Sequence, residues 1–242
     1  MMMTPPDLCF GTLAFSTLFA FVNSHANENV THAGEHYRVA REAMAKARQT
    51  SNPVELAILG WKIGDELEET VRLDPNQMDA RVDLVRYYTV APRIVGGSAK
   101  KARAEAQEIA RRDAALGDFA NGYINYREKA YGPARLKLRE AVRLSKDAKT
   151  KILALTWLGW LSQETQQYDD AFDAWEQILA TDPAHVEALY EIGRTAVFAR
   201  REIHRGEEAL RSYLGTKRTS DMPSEKEAGK LLEKLQSYET LR

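Results

Sequence analysis

Residues Ile152 to His185 read ILALTWLGWLSQETQQYDDAFDAWEQILATDPAH. The stretch is two helix-forming runs, and Asp182-Pro183 ends the second. The first run holds Leu158-Gly159, and the second holds Ala171 and Trp175. Gly and Ala let two antiparallel helices approach closely, and large side chains fill the remaining space. Proline follows the second helix because it cannot continue it.

The same phase extends outward. Gly193 lies 34 residues after Gly159, and Leu189, Ile192 and Gly193 repeat the first-helix signature. The second helix of that unit, Ala209 to Tyr213, comes four residues late, which predicts an insertion near 201–205. Upstream, Gly122 lies 37 residues before Gly159 and Ala134 lies 37 before Ala171. The equal excess predicts one insertion between units, near 145–150. Met78 to Asp113 makes a further unit, with Leu84, Tyr88, Ala102, Ala106 and Ile109 in pattern places and a lengthened loop at Ala91–Gly97. Breakers at Asn52-Pro53, Asp74-Pro75-Asn76, Ala91-Pro92, Gly132-Pro133, Asp182-Pro183 and Pro223-Ser224 leave about eleven helices and no strand.

This pattern resembles the tetratricopeptide repeat, a helix-turn-helix unit of about 34 residues. Leu155, Leu158, Gly159, Ala171, Trp175 and Pro183 match its places, while Ser162 and Ile178 depart. Arg86-Tyr87-Tyr88, Ala91-Pro92, Val95-Gly96-Gly97-Ser98 and Lys101-Ala102 also resemble a bacterial secreted tetratricopeptide family with a similar glycine loop. The resemblance implies an all-α solenoid of antiparallel helix pairs. The expected organisation is a signal peptide at 1–26, a degenerate helix pair at 27–77 and repeats at 78–215. A linker and C-terminal capping helix follow at 216–242.

Composition agrees with an ordinary globular chain. The 242 residues carry 34 basic and 35 acidic side chains, so nothing electrostatic points to nucleic acid as a partner. The single cysteine rules out a disulfide-stapled fold. Leu8 to Val22, LCFGTLAFSTLFAFV, is an uncharged run of 15 residues, shorter than the roughly 20 that span a bilayer as a helix. Small residues Ser24 and Ala26 precede a cleavage point after Ala26. The run reads as a secretory signal peptide, although its start, MMMTPPD, carries no basic side chain. A buried apolar helix or a retained anchor is the competing reading. Removal of 1–26 also removes Cys9 and leaves no thiol.

Candidate chemistry is sparse. His32-Ala33-Gly34-Glu35-His36 has the H-x-x-E-H spacing of a zinc peptidase class, with Glu35 as general base. No third ligand stands in a helical context, so the stretch reads as a polar N-terminal turn. Gly96-Gly97-Ser98 before Lys100-Lys101 resembles an anion cradle, but no strand precedes it. It reads as an inter-helix loop with Ser98 as N-cap. The bases Lys100, Lys101, Arg103, Arg111, Arg112, Arg135, Lys137, Arg139 and Arg143 alternate with Glu105, Glu108 and Glu140, as solvated helix faces do. Of Trp61, Trp157, Trp160 and Trp175, most are expected in the core.

The resemblance also implies a concave surface lined by places 5, 9, 12 and 13 of first helices. These are Val82, Arg86, Thr89 and Val90; Phe119, Tyr123, Tyr126 and Arg127; Thr156, Trp160, Gln163 and Glu164; Tyr190, Arg194, Val197 and Phe198. The candidate partner-binding residues are Arg86, Phe119, Tyr123, Tyr126, Arg127, Trp160, Gln163, Tyr190 and Arg194. Aromatic residues and Arg dominate interface hot spots. Tyr123 and Trp160 have an alternative role in packing between repeats. The expected function is a non-enzymatic, exported scaffold for a peptide or partner helix, with arginines meeting carboxylates. No cofactor, metal or catalytic residue is expected. The alternatives are a metal-dependent hydrolase at His32, Glu35 and His36, and a structural subunit of an envelope complex using the convex face.

Overall fold

The computed structural model describes residues 12–217 and 222–239, with side chains described for 28–217 and 222–238. The side chains of the expected leader, residues 1–26, lie outside the described residues. Among the described residues there are eleven α-helices and no strand. They are α1 (Thr12–Ala47), α2 (Pro53–Leu73), α3 (Met78–Val90), α4 (Ala99–Arg112), α5 (Ala114–Arg127), α6 (Tyr131–Leu144), α7 (Ala148–Glu164), α8 (Tyr168–Thr181), α9 (Val186–Ala199), α10 (Ile203–Leu214) and α11 (Glu225–Glu239), with a 3-10 turn at Arg93–Val95. No described helix is long and apolar enough to cross a membrane. The chain divides into two compact units, Met1–Ala102 and Arg103–Arg242.

In the first unit α1 and α2 pack as a pair, with α3 and the 3-10 turn against α2. Small residues Ala33, Ala40 and Ala43 on α1 are buried, as are Ile63, Leu67 and Thr70 on α2. Asn52 caps α2 through Oδ1, which accepts from the Val54 and Glu55 amides, and Pro53 stands where no amide partner is needed. The glycine loop is built by its own contacts. Gly96 has φ 104, which favours glycine, and a Cβ on Gly97 would collide with the Ala91 carbonyl. The Tyr87 hydroxyl donates to the Val95 carbonyl, and the Ser98 amide donates to the Tyr88 carbonyl at 2.8 Å. Ser98 Oγ accepts from the Lys101 amide at 3.3 Å, capping α4. Backbone geometry and local packing therefore account for these glycines.

The second unit contains three antiparallel pairs, α5/α6, α7/α8 and α9/α10, with α11 packed on α9 and α10. Each pair closes on a glycine. A Cβ on Gly122 would lie 2.8 Å from Leu138 Cγ, and one on Gly159 would overlap the Trp175 ring. One on Gly193 would overlap Leu210. Trp175, Leu210 and Tyr213 are fully buried. The α5/α6 and α7/α8 turns each place one non-glycine residue at positive φ, Lys129 and Gln166. The insertion expected near 145–150 is extra helix: α7 has 17 residues against 14 in α5 and α9, with Asp147 capping its start.

The insertion expected near 201–205 is shorter than the spacing predicts. In the first two pairs the large residue sits 16 positions after the glycine, Gly122 to Leu138 and Gly159 to Trp175. In the third it sits 17 after, Gly193 to Leu210. One residue has been added, not four, and it lengthens the end of α9. The turn absorbs it with Arg200 and Glu202 both at positive φ. The phase puts Ala209 in the small-residue place of α10, but Gly206 holds it. A Cβ there would overlap Ala196 Cβ and lie 2.9 Å from Leu235 Cδ1.

Candidate partner-binding cleft

The first helices of the second unit, α5, α7 and α9, share one exposed side. A cleft of about 450 Å3 opens there, lined by Tyr126, Arg127, Trp157, Trp160, Gln163, Glu164, Glu191, Arg194 and Phe198. No residue of a second helix lines it, so the turns of the pairs present α5, α7 and α9 as its walls.

Its apolar surface is a chain of rings. Trp157 meets Tyr123 edge-on at 4.7 Å, Tyr126 at 5.4 Å and Trp160 at 5.0 Å between centroids. Such edge-to-face contacts fix the ring orientations. Across the cleft the Arg194 guanidinium lies over the Phe198 ring at 5.7 Å.

Its polar base is a buried network. Glu191 is only 4% exposed, and its Oε2 accepts from Gln163 Nε2 at 2.9 Å. Arg194 Nε lies 2.9 Å from the same oxygen, and Arg194 donates to Gln163 Oε1 at 2.6 Å. Gln163 also donates to Thr195 Oγ1 at 2.7 Å, which in turn accepts from Trp175 Nε1 at 3.2 Å. The network ties α7, α8 and α9 together. Burial pushes the Glu191 carboxyl above the ordinary carboxylate range, against the pull of Arg194 and its hydrogen bonds. At the rim, Glu164 accepts from the hydroxyls of Tyr126 at 2.5 Å and Tyr131. Those bonds hold Glu164 below its usual range, while burial and the Glu164 bond push Tyr126 up to about 12.

The structure brings Tyr126, Arg127, Trp160, Gln163 and Arg194 of the candidate set together in the cleft. Phe119 and Tyr123, expected on its surface, are instead buried at 1% and 4% exposure. The reason is that α7 lies against α5 and Trp157 covers Tyr123, so these rings support the wall from behind. Tyr190 packs on Tyr213 at 5.2 Å, outside the cleft lining. Arg86 belongs to the first unit, where it donates to Asp83 at 3.3 Å, and Asp83 also accepts from Tyr37. Val82 and Val197 are buried.

Two lining residues lay outside the expected places. They are Trp157, one of the four tryptophans of which most are expected in the core, and Glu191. Both stand two positions before the helix glycine, a place the packing pattern leaves unrestricted. That shared position is the signal that would have found them. Trp175 is fully buried, as expected, whereas Trp61 is 49% exposed and donates to the Ile94 carbonyl at 3.1 Å.

The remaining candidates are engaged elsewhere. His36 Nδ1 lies 2.6 Å from Glu66 Oε2, joining α1 to α2. Among the described residues no three His, Cys, Asp or Glu side chains gather as a metal site. Lys101 pairs with Glu68 at 2.8 Å, and the basic helix faces are paired, as in Arg112 with Glu108 and Arg139 with Asp170.

No family model matches the chain, and no curated protein matches its sequence. Solved structures do match its fold. The structure of PilF from Pseudomonas aeruginosa aligns with TM-score 0.56 at 15% identity, covering 88% of this chain and 91% of that one. That of PilW, described as a widely conserved type IV pilus biogenesis factor, aligns with TM-score 0.56 at 17% identity, covering 89% and 91%. At such identity the likeness is one of fold, and the fold is an all-α solenoid of tetratricopeptide-like helix pairs.

Proposed function

We propose that this chain is a non-enzymatic protein-interaction module that holds a peptide or partner helix in the α5/α7/α9 cleft and acts outside the cytoplasm. The observation that carries the reading is the cleft itself. Exposed aromatic faces and charged side chains converge there, held by a buried hydrogen-bond network on rigid helices. Preorganised aromatic and Arg groups reduce the ordering cost of binding. Export is supported by the uncharged run Leu8 to Val22 and the small residues before position 27.

Site-specific photo-crosslinking in cells tests the surface. A crosslinker in place of Phe198 should give a discrete adduct, and one in place of Leu136, exposed on α6, should not. An adduct from position 136 with none from 198 refutes the cleft and favours the structural-subunit reading. The intact mass of the protein from fractionated cells tests export. A species beginning at Asn27 is expected outside the cytoplasm, and a full-length cytoplasmic species refutes it.

A further inference from the structure

Several large apolar side chains left exposed in the first unit gather on the outer side of α2. Val54, Ile58 and Trp61 stand at steps of four and three residues, so they form one stripe along the helix. The stripe lies on the side away from Ile63, Leu67 and Thr70, which are buried. Ile94 of the 3-10 turn joins it on one flank. Its carbonyl accepts from the Trp61 indole, and Val95 packs beside Gly60, where a Cβ would lie 3.4 Å from Val95 Cγ2. Val54, Ile58 and Ile94 are 67%, 57% and 81% exposed, and Trp61 is about half exposed. Together these four side chains leave roughly 400–500 Å2 of apolar surface in water, as much as the largest patch on an ordinary monomer. Asp65, also exposed, takes the next place on the stripe and ends it.

The other flank of the stripe carries an ordered pair of charges. Glu55 and Lys62 are both exposed, seven residues apart, and each follows an apolar residue of the stripe by one place. Glu55 accepts from Thr50 through one of its oxygens. From this, we infer that the face joins the α2 of a second copy of this chain, antiparallel across a two-fold axis. Ile58 then packs on Trp61 of the second copy, and Glu55 meets its Lys62; symmetry repeats both contacts. In a parallel pairing Lys62 would face Ala57 and Glu55 would face Thr50, so the charges select the antiparallel one. Glu55 and Asp65 also oppose an anionic membrane surface as the occupant. Two such faces bury about 1,000 Å2 in all, the lower limit of specific interfaces, which implies a reversible dimer with a Kd on the order of micromolar. No cleft residue takes part, so the inference does not depend on the proposed binding function.

Analytical ultracentrifugation of the full-length protein across a wide concentration range tests it. A monomer–dimer equilibrium is expected, and Ile58→Glu should weaken it by roughly tenfold or more, because two carboxylates enter the apolar seam. These positions are exposed, so unchanged circular dichroism checks that each variant folds. Glu55→Lys and Lys62→Glu should each weaken the dimer severalfold, since the two-fold axis counts each pair twice. The double exchange of Glu55→Lys with Lys62→Glu should restore it, which no effect on folding alone would produce. A monomer at every concentration overturns the inference, and so does an association that Ile58→Glu leaves unchanged. Loss on Ile58→Glu without rescue by the double exchange overturns the antiparallel pairing. Binding to vesicles of phosphatidylcholine and phosphatidylglycerol by a protein that stays monomeric, lost in Ile58→Glu, would give the face to a membrane and overturn the second copy as its occupant.

Discussion

Gly159→Ala probes the contact on which the α7/α8 pair closes. The added Cβ would overlap three atoms of the Trp175 ring. That ring is fully buried and donates to Thr195, so it has no free direction in which to retreat. Overpacking of this kind costs about 1–3 kcal/mol, while replacing Gly by Ala inside a helix returns about 1 kcal/mol. The net expectation is destabilisation of up to about 2 kcal/mol, toward the upper end because the clash is with a fixed ring. In a Trp175→Leu background the clash is gone and only the helix-propensity gain of about 1 kcal/mol remains. The same substitution should therefore change sign between backgrounds, with a coupling of about 1–3 kcal/mol. The loss of the Trp175–Thr195 hydrogen bond is common to both arms and cancels. Guanidinium denaturation followed by far-UV circular dichroism measures all four chains of the cycle. If Gly159→Ala has the same sign and size in both backgrounds, the ring is not what requires glycine and the packing argument fails.

Three further outcomes follow from the same structure. Gly229→Ala, in α11 with open space around the added Cβ, should stabilise by about 0.5–1 kcal/mol in thermal melts, whereas an unseen contact would reverse the sign. Gly97→Ala should loosen the α3–α4 loop, seen as faster hydrogen exchange at the Ser98 amide; unchanged exchange would contradict the collision with Ala91. Glu191 holds its proton more tightly folded than unfolded, so its contribution is fully present below the unfolded carboxylate value. It declines as pH rises from that value through the raised folded one. Denaturation midpoints across that range should fall less steeply in Glu191→Gln than in the unaltered chain, and identical slopes would show that burial does not perturb this group.

Much of the architecture was legible in the sequence because helix pairs are local. Gly122, Gly159 and Gly193 recur with their packing partners 16 or 17 residues on, close enough for spacing to reveal them. The limit appears at α9/α10. The phase keyed on Ala209 predicts a four-residue insertion, because Ala fits the small-residue place as well as Gly does. The structure shows that Gly206 meets Ala196 and Leu235, so the offset is one residue. Only contact with the neighbouring helices decides which of two small residues is the packed one.

The sequence by itself determined the helices and their pairing, since periodicity, breakers and close-packing glycines are written within about 34 residues. It also put Tyr126, Arg127, Trp160, Gln163 and Arg194 on first helices, where the cleft lies. Tertiary structure decided which faces stay open. Stacking α7 on α5 buried Phe119 and Tyr123 and turned Trp157 outward. It also decided how the polar groups of the site are engaged. Glu191 is an ordinary charged residue in the sequence, but folding buries it among Gln163, Trp160 and Arg194. Desolvation and partner geometry are properties of neighbours brought from other helices, and no spacing along the chain encodes them.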